Sequence, residues 1–146
     1  MKNFFKNTNL KTNKEYFQYL VNLAYQDGHL DKSEIVFLCK IGEKLGLGTS
    51  EIGEYIQNRI PFLITQVPLT DTAKFEQLFD IVNLAMVDDH LEENEIEFCS
   101  RFAKRLGYKE DIVGELVRLM YDDIENGIAK QLIQEDINRL LKKYKC

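Results

Sequence analysis

Two short acidic stretches hold the side chains of this sequence best suited to chemistry. The first runs Asp27-Gly28-His29-Leu30-Asp31-Lys32-Ser33-Glu34 and the second Asp88-Asp89-His90-Leu91-Glu92-Glu93-Asn94-Glu95. Each places carboxylates at its first, fifth and eighth positions, and the second adds Asp89, Glu93 and Glu97. Carboxylate oxygens are the donors that hard cations take, and Ca²⁺ fills its sphere with about six to eight oxygens. The candidate metal ligands are therefore Asp27, Asp31, Glu34, Asp88, Asp89, Glu92 and Glu95, with Ca²⁺ favoured. His29, His90, Asn22 and Asn83 occupy matched positions and stand as additional candidates. Two imidazoles beside carboxylates would suit Zn²⁺, with Mn²⁺ a further option. One stretch alone is short of ligands, so a cation would be held weakly or shared between the two. Neither is an EF-hand, which needs Gly at its sixth position and Glu at its twelfth. Those positions are Lys32 and Leu38 in one stretch and Glu93 and Cys99 in the other.

The same acids have a structural reading. Asp27 and Asp88 close a helix, where the dipole disfavours an anion, so each asks for a positive partner. That partner can be a cation, a Lys or Arg, or the free N–H groups that open the next helix. Asp31 with Glu34 reads as a capping box. Gly28 suits a left-handed turn, and the two histidines suit an exposed loop.

The elements that position these stretches come from a repeat. Residues 20–56 align with 81–117 without a gap, an offset of 61, and 14 of the 37 positions are identical. Each copy parses as three helices. Phe17, Leu20, Val21 and Ala24 follow helical spacing in the first. A second helix opens at Asp31 with the stripe Ile35, Leu38, Ile41 and Leu45, and ends at Gly46, a C′ glycine. A third carries Ile52, Tyr55, Ile56 and Ile60 before Pro61 stops it. The second copy repeats the pattern with Phe75, Leu78, Phe79, Val82 and Ala85, then Ile96, Cys99, Phe102, Ala103 and Leu106, then Ile112, Val113, Leu116, Val117 and Met120. A last helix spans about Ile128 to Leu141. No segment alternates as a strand does. The expectation is an all-α fold of about seven helices: two pseudo-symmetric three-helix repeats, 14–60 and 75–121, plus a C-terminal helix. Residues 1–12 read as a flexible segment and 13–146 as a single domain.

Bulk composition narrows the function classes. Net charge is −5 with pI near 5.1, which disfavours nucleic acid. No apolar run reaches transmembrane length, and the N-terminus lacks the apolar core of a signal peptide. A cytoplasmic location is expected. Three cysteines without a CxxC pair do not form a disulfide framework. A Gly-rich phosphate loop, a Gly-x-Ser-x-Gly elbow and a Cys/His pairing are all absent, so no enzyme is expected.

The motif Asn22-Leu-Ala-Tyr-Gln-Asp27-Gly-His-Leu-Asp31-Lys-Ser-Glu34, followed by Lys44-Leu-Gly46, resembles the core of the TerB-like superfamily. That superfamily includes the tellurite-resistance protein TerB and the N-terminal domain of DjlA-type membrane co-chaperones. The likeness spans roughly residues 14–141, and the motif occurs twice. It implies a helical domain of a bacterial protein linked to tellurite resistance and stress, binding divalent cations through Asp27, Asp31 and Glu34, and through Asp88, Glu92 and Glu95. Asp89 departs from the pattern, standing where the first copy has Gly28. The resulting expectation is an interaction module with a protein partner and paired cation-binding loops. The alternative is a metal-independent helical scaffold or adaptor.

Overall fold

The computed structural model describes residues 12–60, 70–86 and 92–144. These residues form seven helices and no strand: α1 (Asn13–Ala24), α2 (Lys32–Lys44), α3 (Thr49–Gln57), α4 (Asp71–Ala85), α5 (Glu93–Arg105), α6 (Glu110–Glu125) and α7 (Lys130–Lys143). They gather into two compact units that divide between Leu69 and Thr70. The bounds of α2 and α5 differ by 61 at both ends, as do the last residues of α1 and α4 and the first of α3 and α6. None of the described helices is long and apolar enough to cross a membrane.

In the first unit α1, α2 and α3 pack against one another. Phe17, Leu20, Val21 and Ala24 of α1 meet Phe37, Leu38 and Ile41 of α2 and Ile52 of α3 in the buried core. Thr12 caps α1 by accepting the Glu15 N–H at 3.0 Å. The Asn13 side-chain amide donates to the Leu45 carbonyl at 3.0 Å, tying the start of α1 to the end of α2. Gly46, at φ +83°, closes α2. Its N–H donates to Glu43 O and the Leu47 N–H to Gly42 O, at 2.9 and 3.0 Å, the two bonds of a Schellman motif.

Gly42 sets the approach of α3. A Cβ added there would lie 2.7 and 2.8 Å from Ile52 Cγ1 and Cδ1 and 3.2 Å from Phe17 Cε1. Ala gains up to about 1 kcal/mol of helix propensity over Gly, but overpacking costs about 1–3 kcal/mol. Gly42→Ala is therefore expected to lower the urea midpoint. Gly53→Ala, where an added Cβ meets nothing within 4 Å, is expected to raise it.

The second unit joins α4, α5 and α6, with α7 laid against α6. Its core holds Phe75, Leu78 and Ile81 of α4, Phe98, Cys99 and Phe102 of α5, Leu116 and Met120 of α6, and Ile133 and Ile137 of α7. Gly107 and Gly127 close α5 and α6 at φ +111° and +71°.

Three details depart from the sequence expectation. Ile60 is 60% exposed, because α3 ends at Gln57 and the residue lies beyond the helical stripe. Phe37 is buried while Ile35 is half-buried, which turns the inner face of α2 toward Phe37, Leu38 and Ile41. The last helix begins at Lys130 rather than Ile128. Ile128 belongs to the preceding turn, where its N–H donates to Asp123 O at 2.9 Å.

Candidate functional site

The first acidic stretch joins α1 to α2. Tyr25 ends α1, and the Gly28 N–H donates to Tyr25 O at 2.9 Å. Gly28, at φ +81°, then reverses the chain in the left-handed region that glycine adopts without strain. Asp27 turns its carboxylate back onto the loop, where Oδ1 accepts the His29 N–H at 3.0 Å. An aspartate bonded to the backbone two residues on is a common turn device. The Asp27 and His29 side chains are both exposed.

Asp31 and Glu34 form the capping box that their spacing predicts. Asp31 Oδ1 accepts the Glu34 N–H at 2.9 Å and the Ser33 hydroxyl at 2.7 Å. Glu34 Oε1 reaches back to accept the Asp31 N–H at 3.2 Å. Glu34 is only 2% exposed. Its charge is directed at the opening turn of α2, where donors otherwise lack partners and the dipole favours an anion. All three carboxylates of this stretch thus accept backbone N–H groups of their own turn. Asn22, an additional ligand candidate, is half-buried, and its Oδ1 accepts the Ile60 N–H at 3.1 Å. It braces the chain after α3 and not the acidic loop.

In the second stretch, Asp88, Asp89 and His90 lie outside the described residues. Glu92 and Glu95 open α5. The Glu92 N–H donates to Glu95 Oε1 at 3.0 Å, matching one half of the box in the first copy. Glu95 is buried, as Glu34 is, and Asn83 is half-buried on α4. Among the described residues, no three His, Cys, Asp or Glu side chains gather as a metal site would require.

The two thiols among the described residues are poorly placed for nucleophilic work. Cys99 is fully enclosed in the core of the second unit, and burial, reinforced by Glu95, pushes its thiol up to about 12. Cys39 is raised too, first by burial and then by Glu43. A thiol is a nucleophile or metal ligand only as the thiolate.

Two features of the second unit escaped the sequence reading. The first is Asp80, a buried acid on α4. Burial pushes its carboxyl up to about 7, with Lys130 opposing the rise and Glu76 adding to it. Lys130 also pairs with Glu76 and lies 4.9 Å from the centre of the Phe79 ring. The second is a cavity of about 160 Å³ beside the turn that follows α5, lined in part by Lys74 and Tyr108. Tyr108 stands where the first copy has Leu47, while Asp80 and Lys74 precede the aligned segments and stand opposite Tyr19 and Asn13 at the offset of 61. Those departures were the available signal.

Comparison of the chain with protein-family models, with curated proteins and with solved structures gives no match.

Proposed function

We propose that this chain is a non-enzymatic helical scaffold or adaptor, and that its first acidic loop works as a structural joint without a metal. The observation that carries this reading is the inward use of the loop's own acids. Asp27, Asp31 and Glu34 each accept a backbone N–H from the turn they belong to. These bonds account for the spacing of the three acids by the geometry of a helix start, and so remove the need for an external counter-charge. The raised thiols of Cys99, which is buried, and Cys39, which is half-buried, support a role without nucleophilic chemistry. The TerB-like resemblance adds a bacterial, cytoplasmic setting tied to stress and tellurite resistance, with recognition of a protein partner as the activity.

Asp31→Ala tests this directly. Loss of an N-cap acid costs about 1 kcal/mol. The account expects that loss to be the same in a chelator and in millimolar Ca²⁺, measured by urea unfolding. A cation held by Asp31 would stabilise only the parent protein, making the cost clearly larger in Ca²⁺. That result would remove the proposal.

A further inference from the structure

The cavity of the second unit lies between the first turn of α4, the turn into α6 and the end of α7. Ile112 and Leu141 give it apolar walls, and Tyr108 packs beside them. Lys74, Lys109 and Asp71 supply the charged part of its lining.

Two observations point to an occupant. Tyr108 is 7% exposed and its hydroxyl is itself buried, so the residue serves as a packed wall and not as a donor to the cavity. Lys74 has its ammonium 5.9 Å from the centre of the Tyr108 ring and makes no ion pair with a carboxylate among the described residues. It also borders the Gly107 backbone, where an added Cβ would lie 3.1 Å from Nζ. The volume, about 160 Å³, matches a space known to hold benzene, about 150 Å³.

Charge and size then define the ligand class. Two lysines against one aspartate leave the lining with a single positive charge, which suits a monoanion better than a dianion. The apolar walls take a body of about one six-membered ring. A carboxylate oxygen can accept from the Lys74 ammonium.

We propose that this cavity is a binding site for a compact apolar monocarboxylate, whose carboxylate is held by Lys74 and whose body lies against Ile112 and Leu141. The inference does not depend on the role of the acidic loops.

The full chain labelled with ¹⁵N is titrated with benzoate and, separately, with hexanoate, which distinguishes an aromatic from an aliphatic body. Saturable shifts of the Tyr108, Ile112 and Leu141 amides are expected with at least one of them, with half-saturation near about 1 mM for so small a ligand. Benzyl alcohol and the dianion phthalate are expected to bind about ten-fold more weakly. Lys74→Gln should weaken the carboxylate by a similar factor while leaving benzyl alcohol unchanged. The exposed Lys109→Gln serves as a second variant with a smaller loss. Absence of saturable shifts with both acids would overturn the proposal, as would equal affinity for benzyl alcohol. Shifts centred outside the cavity would also overturn it.

Discussion

Phe102→Ala is expected to lower the unfolding free energy by about 3–5 kcal/mol, a large part of the roughly 5–15 kcal/mol that a domain possesses. Phe102 lies on the inner face of α5 and is 0% exposed. Its ring stands 6.1 Å from that of Phe98, tilted by 33°. Truncation removes the transfer free energy of the ring and leaves a void in the core of the second unit. The core of that unit is built on α4, whose start Thr70 caps, and on α5 and α6, which Schellman bonds close, so its side chains collapse into that void only in part. Urea unfolding followed by circular dichroism measures the loss. A cost near 1 kcal/mol would mean that α5 is packed much more loosely than described.

The second large effect depends on pH. Asp80 is 8% exposed on α4, and burial raises its carboxyl from the ordinary 3.8 to about 7. An acid raised on folding contributes no penalty below its unfolded value. Above 3.8 the unfolded chain releases the proton while the folded one retains it, so stability falls until the pH passes about 7. Asp80→Asn removes that titration. The unfolding free energy of the variant relative to the parent should therefore rise by about 3 kcal/mol between pH 4 and pH 8, allowing for residual solvent around the group. Taking the difference cancels the acids that titrate alike in both proteins, including Glu51, which its bond to Lys14 holds below the usual value. Parallel pH profiles for parent and variant would mean that Asp80 stays ionised in the folded protein, neutralised by Lys130.

Helix placement was largely legible because the local signals agree with the hydrophobic period. Asp31 and Glu34 mark the start of α2, Gly46 marks its end, and the matching residues 61 positions later bound α5. The capping box was legible for the same reason, since both partners lie within one turn. Depth was harder to read. Periodicity assigns Ile60 to the stripe of α3, but the helix stops three residues earlier and leaves it exposed. The bond from Asn22 to Ile60 links residues 38 apart, so no local pattern announces it. Asp80 and Tyr108 are polar groups whose burial depends on α7 and on the turn into α6. A reading confined to the repeat passes over them, because α7 has no counterpart in the first copy.

The central claim is that the acids of the first loop serve their own backbone. Carboxyl ¹³C resonances of Asp27, Asp31 and Glu34 report on it residue by residue during a titration of the full chain with Ca²⁺. The account predicts that all three stay at their metal-free positions through millimolar Ca²⁺. Saturable displacement of Asp27 together with Asp31 or Glu34 would contradict it and make the loop a cation site.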